Sequence, residues 1–555
     1  MSKIDIGVII VFTLLVFICG LSFSRSGKNM KSFFAAGGAL PWWMSGLSLF
    51  MSFFSAGTFV VWGSIAYSSG WVAITIQSTM CIAGLIIGFF IAPKWQKTKA
   101  LTAAEFITDR LGYNTQKIYT YLFLLISLFT TGAFLYPVAK IVEVSTGIPI
   151  GTSVIVLGVL ILIYTAVGGL WAVIVTDVLQ FVVLTAAVLI VVPLSFDKIG
   201  GMDNFVSQAP ENFFALVNEE YSWGFMIAFG LYNLFFIAGN WAYVQRYTSV
   251  ATPKDAKKVG WLFGALYLIS PLVWMLPPMI YRVLNPELDG LADEGAYLLM
   301  CKEVLPVGML GLMLGGMVFA TSSSVNTTLN ISAGVLANDV YKHFRPNTSG
   351  DHLVKVGRWS TIALGVITII VALLVPYMGG IVEVVMSVAA ITGGAMFLPP
   401  MWALFSKYQT GKSVLAITIV SLLINSFFKF ESPGLLDFSL DRAQEMWLGV
   451  GVPVVMLFFF ELYARTKKTG ISQYMDYQVL VAKKASEPIE ETGEGNKRGA
   501  KVIGIGVAST GILLLILSYI GKTGNALVAG MGVLVVLLGT FIIYRNSKSK
   551  KIHKT

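Results

Sequence analysis

Charge is what this 555-residue sequence has least of: Asp, Glu, Lys and Arg together make up only 12% of it. A soluble domain carries roughly 25%, so a solvated globular enzyme of this size is excluded. Histidine is nearly absent, and His343, His352 and His553 fall in loops or the tail. A histidine-centred catalytic site therefore has no material. The three cysteines, Cys19, Cys81 and Cys301, show no paired spacing, which argues against a disulfide framework or a zinc site. No G-x-x-x-x-G-K-S/T segment occurs, so ATP-driven transport by this chain alone is ruled out. No acid, base and nucleophile cluster as an enzyme would need. The first apolar run, 4–23, lacks an A-x-A-like cleavage site after it and reads as a span rather than a signal peptide.

What the sequence does have is hydrocarbon. Apolar and aromatic residues reach 56%, and the mean hydropathy is +0.77. At about 20 residues per span, that leaves room for about 15 transmembrane helices. Outer-membrane barrels are excluded, because their strands alternate apolar with polar residues and give no long unbroken runs. The fold class expected is an all-α polytopic membrane protein.

Loop charge sets its direction. Arg25, Lys28 and Lys31 follow the first run, and Lys94, Lys97 and Lys99 follow the third. Lys254, Lys257 and Lys258 follow the seventh, and Lys342, Arg345 and Lys355 the ninth. The intervening loops are acidic, with Asp197, Asp203 and Glu211 in one and Glu287, Asp293 and Glu294 in another. Basic loops stay in the cytoplasm, which puts the N-terminus outside and the C-terminus cytoplasmic, in the cell (inner) membrane. Orientation thus accounts for the net charge of +10 without nucleic acid as a partner. Glu105, Asp109 and Arg110 read as a solvated cytoplasmic stretch, and 465–501 as a flexible tether.

Two short segments echo each other. Phe53-Phe-Ser-Ala-Gly-Thr-Phe59 and Phe235-Phe-Ile-Ala-Gly-Asn-Trp241 both read Phe-Phe-x-Ala-Gly-polar-aromatic within apolar runs of opposite direction. Corresponding Gly-interrupted spans point to an inverted repeat with a midplane site, where unwound carbonyls become ligands. Chance likeness of helix-packing faces is the other reading. The ninth run carries Ala320-Thr-Ser-Ser-Ser-Val-Asn-Thr-Thr-Leu-Asn330. Single hydroxyls can bond back to their own helix, but so dense a set exceeds that need. Positions 320, 323, 324 and 327 share one face, and oxygen-rich, uncharged groups suit a small hard cation. Asp177, an ionisable residue within a span, is a functional candidate; a salt bridge or a helix cap is the alternative. Glu383 has no assigned role.

Taken together, these residues resemble the sodium/solute symporter family, similar to sodium/sugar cotransporters. The likeness covers roughly 1–465. It is carried by Ala35-Ala-Gly-Gly-Ala-Leu-Pro-Trp-Trp43, Gly168-Gly-Leu-Trp-Ala-Val-Ile-Val-Thr-Asp177, Gln245-Arg246, and Ser323-Ser324 leading to Asp339-Val-Tyr341. The resemblance implies a LeuT-type 5+5 inverted repeat core with additional N- and C-terminal helices. It implies a sodium site built from backbone oxygens of Met51, Phe54 and Ala320 and hydroxyls of Ser323 and Ser324. Asp177, Asn326 and Thr327 stand where a second sodium sits in some members. The substrate positions implied are Thr58, Gln77, Thr130, Asn233 and Tyr267, with Phe236 as a gate. Sugar-binding relatives place Gln, Glu, Asn, Asn, Lys and Gln around their ligand. Here the six positions read Thr58, Gln77, Thr130, Asn233, Tyr267 and Ala389, so the carboxylate and the ammonium are gone.

The organisation expected is an extra helix and loop over 1–35, a first repeat over 36–200, a second over 201–408, and further helices over 409–465. A cytoplasmic linker over 466–500 and two helices with a basic tail over 501–555 complete it. The function expected is sodium-coupled import of a small polar solute, a sugar or related compound, by alternating access, with Na+ as coupling ion. Alternatives are a sodium-independent facilitator or a transporter-like solute sensor.

Overall fold

The computed structural model of the chain describes residues 1–22, 40–100, 102–164, 170–288, 290–341, 344–345, 347–348, 350–486, 493–521 and 524–548. Among these residues the architecture is helical throughout, with one isolated bridge between Leu40 and Val250. In order the helices are α1 (Lys3–Leu21), α2 (Trp42–Met51), α3 (Gly63–Ser69), α4 (Val72–Lys97), α5 (Ala103–Leu111), α6 (Tyr113–Thr146) and α7 (Ile150–Tyr164). Next come α8 (Leu170–Ile199), α9 (Met202–Gln208), α10 (Trp223–Gly239), α11 (Trp241–Thr248), α12 (Pro253–Leu284), α13 (Ala296–Val304) and α14 (Met309–Val335). The last are α15 (Gly350–Leu374), α16 (Gly380–Trp402), α17 (Gly411–Leu435), α18 (Arg442–Lys467), α19 (Ile471–Ala485), α20 (Gly493–Ile520) and α21 (Asn525–Lys548).

Ten of these helices are long and apolar enough to cross a membrane, eleven if α10 and α11 count as one bent span. The expected fifteen is not confirmed among the described residues. The second run is split into α2 and α3 by a break over Ser52–Ser55.

Lipid supplies little drive for helices to pair, so close backbone approach does. α4 and α12 cross where Gly84 and Gly88 meet Gly260 and Gly264; a Cβ on Gly260 would come within 2.6 Å of Gly88 Cα. α1 is fastened to α14 by a polar contact: buried Asp5 accepts hydrogen bonds from the backbone N–H of Gly308 (2.8 Å) and Gly311 (3.1 Å) through Oδ1. A carboxylate at a helix N-terminus satisfies donors that the helix itself leaves unpaired.

Two expectations about polar stretches change. The region read as a tether holds α19, which docks on α5. Lys484 of α19 pairs with Glu105 and, at 2.6 Å, with Asp109. Arg110 is not solvated: it is fully buried, donating from Nη2 to Ser406 O at 2.8 Å under the Tyr474 ring. A guanidinium can be enclosed when carbonyls and ring faces replace its water. Glu383 also gains partners, Lys429 at 2.7 Å and Arg442 at 3.1 Å, in a network with Glu445 and Glu220 that ties α16, α17 and α18 together.

Candidate ion and solute site

α2 stops at Met51, and the chain leaves the helical path over Ser52–Ser55 before helix resumes at Ala56. In an unbroken helix Ser55 N–H would bond Met51 O, and Ala56 N–H would bond Ser52 O. Here Ser55 N–H bonds Thr58 Oγ1 at 3.2 Å, and Ala56 N–H bonds Thr321 Oγ1 of α14 at 3.0 Å. Thr58 N–H, whose helical acceptor would be Phe54 O, bonds Ser55 O at 3.0 Å. The carbonyls of Met51, Ser52 and Phe54 are thereby released from the helical ladder. Thr321 completes the link by donating to Met317 O at 3.0 Å.

The second interruption is at Asn240, whose extended backbone (φ −65°, ψ 132°) separates α10 from α11 with a 60° bend. Asn240 Oδ1 caps α11 by accepting from Ala242 N–H at 3.0 Å, which is why the chain can turn here without stranding an amide. Both echoed motifs therefore lie at helix breaks. They also touch: the Phe53 and Phe236 rings meet edge to face, centroids 6.2 Å apart.

Between the breaks lies a cavity of about 240 Å³. From the expected ion set, Met51, Ser324 and Asp177 line it; from the solute set, Thr58, Thr130, Asn233 and Tyr267 do, with the expected gate Phe236. Asn233 Nδ2 donates to Thr79 Oγ1 at 2.9 Å, which fixes the amide's orientation. Phe236 stacks on Tyr232 and packs edge to face on Phe397. Ala320 and Phe54 are buried, the latter stacked on Trp274 at 3.8 Å. Gln77 does not line the cavity; it is buried in α4, with Oε1 unpaired by any protein group. The side chains of Ser323, Asn326 and Thr327 lie outside the described residues, as do Ala35–Ala39 and Gly168–Gly169 of the sequence motifs.

Asp177 has company that its sequence position did not reveal. Its Oδ2 accepts from Ser48 Oγ of α2 at 2.6 Å, and Arg246 Nη2 of α11 lies 4.0 Å away. Arg246 donates from Nε to the same Ser48 (3.2 Å) and from Nη1 to Ala242 O (3.2 Å) and Gln245 Oε1 (3.0 Å). Both charged residues are buried. Thr321, Ser48 and the Arg246–Asp177 pairing were missed from the sequence. Thr321 lies off the face formed by 320, 323, 324 and 327; a need for an acceptor at the first break was the available clue.

Beside the cavity, Glu294 joins three elements. It accepts from Tyr136 Oη of α6 (2.9 Å) and from Ile381 N–H at the start of α16 (2.9 Å), and Pro137, next to Tyr136, lines the cavity. Burial pushes its carboxyl above the usual glutamate range, opposed by those two donors and by Lys140, and Asp293 adds to the rise. The folded-state value therefore exceeds the unfolded one. The stability it contributes is present in full below about 4.5, the unfolded value, and is lost as pH rises through the folded value. Melting temperature should rise as pH is lowered from neutral toward that value, and Glu294→Gln should flatten the rise. An unchanged slope in that variant would assign the dependence elsewhere, with Asp293, shifted in the same direction, the next carboxyl to replace.

Residues 33–421 match the family described as the sodium:solute symporter family. The chain is 29% identical over 472 residues to the sodium/glucose cotransporter of Vibrio parahaemolyticus, covering 78% of this chain and 86% of that one. It is 26% identical over 425 residues to the sodium/sialic acid symporter NanT of Aliivibrio fischeri, covering 73% and 83%. Its fold is similar to a Na+-coupled sialic acid symporter solved in a substrate-bound outward-open state. The TM-score is 0.70 at 21% identity, over 84% of this chain and 98% of that one. The expected LeuT-type fold is the one observed. The chain belongs to the sodium:solute symporter family, and its work is sodium-coupled symport of a small polar solute across a membrane.

Proposed function

We propose that the coupling sodium sits between the first helix break and α14, held by carbonyl oxygens of Met51, Phe54 and Ala320 and the hydroxyls of Ser323 and Ser324. The observation that carries this is the diversion of Ser55, Ala56 and Thr58 N–H to other acceptors, which leaves carbonyls of the right hardness for an alkali cation. The solute binds in the adjoining cavity against Thr58, Thr130, Asn233 and Tyr267, with Phe236 as its gate and Gln77 as a supporting residue. Asp177, Asn326 and Thr327 form the second ion position if the cycle uses two.

In this reading the chain is built of two five-helix halves, 36–200 and 201–408, and the observed breaks at Ser52–Ser55 and Asn240 take corresponding places in them. Sodium bridging α2 and α14 favours one arrangement of the halves, and solute binding then completes a closed site. Inward opening releases both. Each sodium entering down a potential of about 100 mV contributes roughly 2.3 kcal/mol in addition to its gradient. The alternating basic and acidic loops support a location in the cell (inner) membrane, with the N-terminus outside and the C-terminus cytoplasmic.

The test is uptake into proteoliposomes loaded with potassium and diluted into sodium, using labelled glucose, myo-inositol and sialic acid as probes. Accumulation above the external level is expected only with a sodium gradient. Ser324→Ala should raise the half-saturating sodium concentration about tenfold, the equivalent of 1.4 kcal/mol. An unaltered sodium dependence in that variant removes Ser324 from the site.

A further inference from the structure

We propose that the trough where α4 and α12 cross binds an anionic phospholipid. Three lysines of α12 take the phosphate, and the outer faces of the two helices take the acyl chains. This site is separate from the ion and solute positions.

The spacing along α12 gathers the cations. Lys254, Lys257, Lys258, Trp261, Leu268 and Leu272 follow one another at intervals that keep them on one stripe of a helix. That stripe faces outward, with Trp261 36%, Leu268 63% and Leu272 41% exposed. It is basic over the first two turns and apolar beyond them. The basic loops assign the lysine end to the cytoplasmic side. Orientation explains why the lysines lie at that end, but not what neutralises them there.

Packing then sets one lysine over hydrocarbon. A Cβ on Gly88 would come within 2.9 Å of Lys257 O and 2.5 Å of Trp261 Cδ1, so a side chain at 88 would hold the helices apart. The next residue, Phe89, is thereby brought beneath α12, its ring edge to face with Trp261 at 4.8 Å. The Lys257 ammonium lies 4.6 Å from the Phe89 ring centre and 4.5 Å from that of Trp261. Ring faces hold an ammonium in place but carry no net charge. The cation is positioned without being neutralised, and it has three N–H groups to give.

Charge complementarity names the partner. Among the described residues Lys254 and Lys257 form no ion pair, while Lys258 pairs with Asp255 at 3.4 Å. Asp255 also accepts from Thr252 Oγ1 at 2.7 Å. Three cations thus face one carboxylate. Beside them the surface is hydrocarbon: Phe89 is 51% exposed, and Ile82 and Leu85 continue the same side of α4 at 60% and 39%. An anion that brings its own acyl chains matches both parts of the trough, whereas a free, hydrated anion matches only the lysines.

Native mass spectrometry of the full chain, delipidated in neutral detergent, counts bound lipid directly. Phosphatidylglycerol and phosphatidylcholine with identical acyl chains are the probes, and glycerol phosphate supplies a headgroup without chains. Saturable binding of phosphatidylglycerol is expected, about tenfold or more tighter than that of phosphatidylcholine. Each lysine is worth about fivefold toward an anionic headgroup. Lys257→Gln should therefore weaken phosphatidylglycerol about fivefold, Lys257→Arg should keep it, and K254Q/K257Q/K258Q should abolish the preference. The control K407Q/K412Q/K468Q removes as many charges from exposed positions of other basic segments and should retain it. Equal binding of the two lipids overturns the proposal, as does an equal loss in both triple variants. So does glycerol phosphate binding as tightly as the whole lipid.

Discussion

Replacing Arg246 with methionine is expected to lower stability by about 3–5 kcal/mol, the size of effect seen when a buried charge loses its partner. Asp177 is only 6% exposed and shares Ser48 with Arg246 across the contact of α2, α8 and α11. With Arg246 gone, its carboxylate keeps one hydroxyl donor and no cation. The double variant R246M/D177N removes both charges and should recover most of the loss, because an uncharged pair has no uncompensated ion to bury. Thermal denaturation of the three variants in detergent measures this. If R246M alone were as stable as the parent, the pair would have no structural part in holding α11 against α2. Sodium titrations of the double variant then report whether Asp177 also serves an ion, since a structural role alone would leave its sodium dependence intact.

Thr321→Val is the second large effect. Valine keeps the shape and loses the hydroxyl, so Ala56 N–H, on a fully buried residue, has no acceptor. An orphaned buried amide costs about 1–3 kcal/mol. The amide's obvious remedy is to return to Ser52 O and rebuild the helical ladder through the break, which would draw the carbonyls of the 51–54 segment back into hydrogen bonding. Sodium affinity should therefore fall together with stability, by about tenfold or more. Thr321→Ser retains the hydroxyl and should stay close to the parent in both. Hydrogen exchange across 52–58, followed with and without sodium, checks the structural half; a sodium titration of Tm checks the other. A valine variant with the parent's sodium response would mean that the break does not need Thr321.

The two breaks were legible in the sequence because glycine and polar residues inside an apolar run have few other uses, and the repeated Phe-Phe-x-Ala-Gly pattern marked both. Thr58, Thr130, Asn233, Tyr267 and Phe236 converge on one cavity. Gln77 did not, since its α4 position points it into protein rather than the lining. Arg246 was visible as part of a motif, but a motif does not say which distant carboxylate a side chain meets once the chain has folded. The buried Arg110 was misread for a related reason: charge in a short amphipathic helix looks solvated until the partner, here α19 from a stretch that looked like tether, is known. Hydropathy registers an apolar run whether or not the helix through it is continuous, and it was the glycine-containing motif, not hydropathy, that marked the break over Ser52–Ser55.

Equilibrium binding of radioactive sodium to the purified protein in potassium buffer reaches the ion site without any knowledge of the solute. Saturable binding is expected, displaced by unlabelled sodium and not by potassium, and weakened about tenfold in Ser324→Ala. Binding that fails to saturate, or that is identical in the parent and in Ser324→Ala, would contradict a sodium site between the α2 break and α14.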